Sequence, residues 1–196
     1  MEEQLSRRER KKIQARNTIL EAGAKLFDSC GFQSTSIADI MNEADMGVGT
    51  FYNYFSSKED VLKAMLNQMS STLQQEQAEM QEVGVPISKA LPRLIMLTAR
   101  LIDERRFVIP LFISAGSSKD ESGNRGSNAP HFMMLFLNLV KEGQKDGCFR
   151  NDIAPELITE MFHSLFQAAA FSRIPISFEE NISSKLRIIM DGIRLK

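Results

Sequence analysis

Between Met46 and Lys58 the chain carries no acidic residue, yet it offers Thr50, Tyr52, Asn53, Tyr54, Ser56, Ser57 and Lys58. Hydroxyl, amide and ammonium groups in such a run can bond base edges and phosphate oxygens, and no carboxylate repels a polyanion. The amide of Asn53 can meet adenine in bidentate fashion, and Thr50 can reach a thymine methyl or a base acceptor. Other chemistry finds little support. There is no glycine-rich phosphate loop, no nucleophile elbow, and no paired-carboxylate or metal-ligand spacing.

Two short helices and a tight turn must position these groups. Ser36 followed by Asp39 is a capping box that starts a helix at about Ser36. Ile37, Ile40, Met41 and Ala44 then fall at helical spacing and give it one buried face. At Asp45-Met46-Gly47 the pattern breaks. Asp45 tolerates a left-handed turn conformation, and Gly47 can open the next helix with little bulk. Within that helix Phe51 and Phe55 lie four apart and face inward, so the polar residues between them face out. A polar, aromatic, acid-free helix after a helix and a turn suits the DNA major groove.

The run Ala44-Asp45-Met46-Gly47-Val48-Gly49-Thr50-Phe51-Tyr52-Asn53-Tyr54-Phe55, with Ser57-Lys58-Glu59 and Leu62, closely resembles the DNA-binding domain of the tetracycline-repressor (TetR) family. Ala24, Leu26-Phe27, Gly31-Phe32, Thr35-Ser36 and Ile40 sit where that family's pattern puts them, so the resemblance covers about residues 10 to 70. Asp45 stands in place of the usual turn glycine, and Gly47 in place of the usual serine or threonine cap. The resemblance implies base contacts from Val48, Gly49, Thr50 and Asn53. It implies phosphate contacts from Thr35, Ser36, Tyr52, Tyr54 and Lys58, with only the backbone N–H of Gly47 left to make one at that position.

The formal net charge of −1 on 196 residues argues against a uniformly basic nucleic-acid binder. Residues 7 to 16, however, carry six positive side chains against Glu9 alone, a local charge of +5 in which Arg8 and Lys12 are candidate phosphate contacts. Cys30 and Cys148 are too few for a disulfide scaffold. His131, His163 and Cys148 show no ligand-pair spacing, so neither a metal nor another cofactor is expected. With no apolar leader and no apolar run of membrane-spanning length, the expectation is a soluble cytoplasmic protein associated with the nucleoid and not with a membrane.

The rest of the chain reads as all-α, with about nine helices and no segment that demands a strand. The first helix runs from about Arg8 to Cys30, its inner stripe being Ile13, Ile19, Leu20, Ala24, Phe27 and Cys30, closed by Gly31. A long fourth helix from the Ser56/Ser57 cap to Glu82 joins a DNA-binding domain at 8–70 to a helical domain at 71–196. Further helices are expected at Ser88 to Glu104 with Pro92 in the first turn, Phe107 to Ala115, Pro130 to Lys145, from Pro155, and from a Ser177/Glu180 capping box. Residues Gly116 to Asn128 read as a loop.

Phe107, Phe112, His131, Phe132, Phe136, Phe162, His163 and Phe166 enrich the second half in aromatics. Such a stripe is more often plain core than a ligand box. The family likeness implies an inducer cavity among the fourth to eighth helices, with Met65 and Met69 leading to it and Thr98, Ser114 and Gln167 as polar candidates. It also implies a homodimer built on the last two helices through Phe162, Leu165, Phe166, Ala169, Leu186, Ile189, Met190 and Ile193. The resulting reading is a homodimeric repressor of an inverted-repeat double-stranded operator, released by a small, mainly apolar inducer. One alternative is a regulator of the same fold controlled by a protein partner; a helical enzyme without a recognisable motif is a more distant one.

Overall fold

The computed structural model describes residues 6–109 and 131–195; Phe112, Ser114, the 116–128 loop and the side chains of His131 and Phe132 lie outside the described residues. Among those described are eight α-helices and one 3-10 turn. The chain divides into two compact units, Met1–Leu66 and Asn67–Lys196. No described helix is long and apolar enough to cross a membrane.

In the first unit, helix α1 spans Arg7–Cys30 and begins with a capping box that the sequence reading missed: Ser6 accepts from the Glu9 N–H, and Glu9 accepts from the Ser6 N–H. Its buried residues are Ile19, Leu20, Ala22, Gly23 and Phe27. Ile13 and Cys30 are exposed instead of inward, which shortens the expected stripe at both ends. The helix ends at Gly31, whose φ of 83° is open only to glycine in practice, and Phe32 folds back edge-on to Phe27 at 4.9 Å. Helix α2, Ile37–Glu43, carries the expected Ser36/Asp39 box. It closes through the Met46 N–H to the Met41 carbonyl and the Asp45 N–H to the Asn42 carbonyl, a Schellman turn. Asp45 takes φ 53° there, the one described non-glycine residue with positive φ. Helix α3 is Val48–Phe51, and helix α4 runs Lys58–Glu82 across the division between the units. Gly23 lets α1 and α4 close up, because a Cβ there would meet Val61 at 3.1 Å and Met65 at 3.3 Å.

The second unit holds the remainder of α4, then α5 at Ile87–Asp103, the 3-10 turn at Arg106–Val108, α6 at His131–Lys145, α7 at Pro155–Ala170 and α8 at Phe178–Ile193. Pro92 is the sixth residue of α5 and not in its first turn, so it removes an interior hydrogen bond. The Ser88 carbonyl that would have received that bond accepts from Arg194 Nη2 at 3.3 Å instead. Ser177 caps α8 by accepting from the Glu180 N–H, but the reciprocal half of the expected box is not formed. Arg100 pairs with Glu179, and the Arg106 guanidinium lies over the Phe178 ring at 5.8 Å, joining α5 and the 3-10 turn to the start of α8.

The hairpin between α6 and α7 is bound to the chain's end. Phe149 bridges Arg194 in antiparallel fashion, through the Arg150 N–H to the Ile193 carbonyl at 2.7 Å and the Leu195 N–H to the Cys148 carbonyl at 3.3 Å. The Phe149 ring is fully buried against Gly143, where a Cβ would stand 2.2 Å from a ring carbon. Gln144 donates to the Arg150 and Ile153 carbonyls and holds the turn shut.

Candidate nucleic-acid interface

Four residues make a helix too short to persist alone. Helix α3 is held from beneath by Phe51, fully buried, and Phe55, 6% exposed, whose rings lie 5.8 Å apart. Arg16 of α1 lies over the Phe55 ring at 5.0 Å and closes that anchor from the far side, a contact between residues too distant in sequence for local spacing to suggest. Bonds from the Asn53 N–H to the Thr50 carbonyl and from the Phe55 N–H to the Phe51 carbonyl carry the coil one turn further.

The outward face then follows from helical phase. Val48, Gly49, Tyr52 and Asn53 are exposed, while Thr50 and Tyr54 are half-buried. Gly49 has no neighbour within 4 Å of the place a Cβ would occupy, so the fold does not require a glycine at this point. A helical glycine costs about 0.5–1 kcal/mol relative to alanine. Gly47 caps α3 without a side-chain bond. Arg8 and Lys12 are exposed on α1.

Three of the anticipated phosphate contacts have other partners. Thr35 is 3% exposed and donates its hydroxyl to the Gly31 carbonyl at 2.9 Å, so its side chain is structural. The Ser36 hydroxyl accepts from the Asp39 N–H and donates to Asp39 Oδ2 at 2.6 Å; that donated bond, with a second from the Ser36 N–H to Oδ2 at 2.8 Å, holds the Asp39 carboxyl below its usual range. Lys58 turns inward: Nζ donates to the carbonyls of Phe32, Gln33 and Thr35 at 2.7, 3.2 and 2.9 Å.

In the second unit the anticipated pocket residues are partly core. Phe136 and Phe162 are fully buried and meet edge-to-face at 6.4 Å, and Phe166 is buried with them. Thr98 donates its hydroxyl to the Leu94 carbonyl, His163 lies within bonding distance of Gln167, and Phe107 is half-buried. Met69 is buried, whereas Met65 belongs to the first unit, against Gly23.

The residues anticipated at a dimer seam lie mostly inside the chain. Phe162, Leu165, Phe166, Ala169, Leu186, Met190 and Ile193 are all buried within the single chain, and Ile189 is half-buried. On α7, at its C-cap and on α8 the exposed large apolar residues are Leu157, Met161 and Phe171 at 55, 48 and 74% exposure, and Ile188 at 73%. Along α7 the exposed stripe is Leu157, Met161, Ser164, Ala168 and Phe171, a seven-residue rhythm that could have been read from spacing. It was hidden because α7 is apolar on two faces.

Residues 19–65 match the family model for bacterial regulatory proteins of the tetR family. The chain is 26% identical over 162 residues to the HTH-type transcriptional repressor DhaR of Mycobacterium sp. strain GP1, covering 79% of each chain. It is 24% identical over 190 residues to the HTH-type transcriptional repressor KstR2 of Rhodococcus jostii RHA1, covering 91% of this chain and 90% of that one. The fold is similar to that of Thermus thermophilus FadR, a repressor solved with lauroyl-CoA, with a TM-score of 0.64 at 23% identity, over 92% of this chain and 96% of that one.

Proposed function

We propose, from the premise that this chain belongs to the TetR family of DNA-binding transcriptional regulators, that it is a homodimeric repressor of an inverted-repeat operator. The observation that carries this reading is the outward face of α3, acid-free and mounted on buried Phe51 and Phe55. Thr50 and Asn53 read base edges, with Val48 and Gly49 admitting the close approach that reading needs. Tyr52, Tyr54, the Gly47 N–H, Arg8 and Lys12 set the register on phosphates.

One α3 spans too few bases for useful specificity, so two copies are required. The exposed stripe of α7, with Ile188 and Gly192 on α8, supports pairing of these helices with those of a second chain. Gly192 has open space at its Cβ position, and Ser164 and Ala168 are small, which favours close packing of helices there.

Release by a small, mainly apolar ligand is the second half of the proposal. The Phe- and Met-rich second unit supports it, and FadR's lauroyl-CoA makes acyl thioesters the first class to screen. Ligand and operator oppose each other by the same factor in each direction. Selection from random duplex DNA, followed by titration across salt, is the test. An inverted repeat with half-sites about one helical turn apart is expected, with binding that weakens steeply as salt rises. Equal affinity for the selected and scrambled duplexes would sink the specific-binding claim. If no acyl-CoA shifts the melting temperature, control by a protein partner becomes the better reading.

A further inference from the structure

We infer that Lys58 is a positioning residue whose ammonium ties the α1–α2 turn to the first turn of α4, and that it makes no phosphate contact. The inference rests on the DNA-binding reading above, because what Lys58 positions is the helix-turn-helix.

Lys58 is the first residue of a 25-residue helix. A cation at that end is opposed by the helix dipole, and Glu59 and Asp60 are the residues the dipole favours there. The ammonium is stabilised from elsewhere. It has three N–H groups, and three carbonyls converge on it: those of Phe32, Gln33 and Thr35. It also sits over the Phe32 ring, 4.6 Å from its centre, while that ring packs on Phe27 of α1. Phe32 immediately follows the glycine that ends α1, and Thr35 immediately precedes the serine that caps α2. One ammonium therefore joins the end of α1, the start of α2 and the start of α4.

Removing the cation leaves three lone-pair-bearing oxygens facing one another across a half-buried gap, at the place where α2 takes its direction. The turn would splay, and α3, which follows α2, would meet the groove at another angle. A lost phosphate contact behaves differently: it weakens every duplex alike and releases one counterion fewer.

The experiment compares the full-length wild type with Lys58→Met and with Lys12→Met, a phosphate-contact control, on the selected operator and on a scrambled duplex across salt. For Lys58→Met, the preference for operator over scrambled duplex should fall about tenfold while the salt dependence on scrambled duplex keeps its slope. Lys12→Met should weaken both duplexes and make the slope shallower by roughly one. If Lys58→Met instead behaves like Lys12→Met, the inference is overturned. Should Lys58→Met fail to fold, Lys58→Gln retains two N–H donors without the charge and carries the same comparison. Without DNA, the melting temperature of Lys58→Met should drop by several degrees, and an unchanged melt also overturns the tie. A wild type that prefers no duplex removes the DNA-binding reading instead, and the melt then judges Lys58 alone.

Discussion

The two units treat their aromatic and apolar side chains in opposite ways. In the first, Phe51 and Phe55 lie beneath a single short helix so that polar side chains can stand outside. In the second, Phe136, Phe149 and Phe162 fill the core among longer helices, and Leu157, Met161, Phe171 and Ile188 are left on the surface. The first unit thus presents hydrogen-bonding groups to a polar, charged partner. The second presents hydrocarbon, which water disfavours and another protein surface can cover. The surface each unit leaves unfinished indicates what completes it.

The sharpest way to break this contrast is Phe51→Ala. Loss of a fully buried ring should cost about 3–5 kcal/mol, and selective DNA binding should disappear with it. A variant with wild-type stability in urea would show that α3 is not held from inside. In the second unit, Gly143→Ala should cost about 2–3 kcal/mol, because its Cβ would overlap a Phe149 ring whose backbone is fixed by the Arg194 bridge. Adding Phe149→Leu should recover part of that loss, and denaturation of the single and double variants tests whether the two positions are coupled.

Buried and exposed apolar residues of α7 should separate next. Met161→Asp and Ile188→Asp should leave the chain folded by circular dichroism while halving the mass seen by light scattering. Leu165→Asp, which places a carboxylate in the core, should prevent folding outright. A folded, dimeric Met161→Asp, Ile188→Asp double variant would remove the proposed seam. The smallest effect belongs to Asp45→Gly. It relieves a left-handed residue and should raise stability by about 1 kcal/mol or less, since glycine also loosens the unfolded chain. A loss of stability would mean that the Asp45 side chain contributes to the turn.

How far the sequence could be read depended on the distance over which each feature is determined. The Ser36/Asp39 box, Gly31 and the left-handed Asp45 are settled within a few residues, and the structure carries them as expected. The all-helical fold and its helix-turn-helix were legible for the same reason. Lys58 was not, because its acceptors lie 23 to 26 residues away and only the folded turn brings them together. Pro92 was read into a first turn that ends before it, and the contact that tolerates it comes from Arg194, 106 residues from Ser88. On α7 the periodicity shows apolar residues on two sides. Which side turns inward is decided by α6 and α8, and the residues anticipated for pairing lie on the side that does.

Helix α3 has a consequence for how new binding preferences arise. What shapes it lies beneath, in Phe51, Phe55 and Arg16, whereas Val48, Gly49 and Asn53 project outward. If the proposed base contacts hold, substitutions among those outward residues change what is recognised while the unit continues to fold. A lineage could therefore move from one target sequence to another by single codon changes, with every intermediate a folded protein.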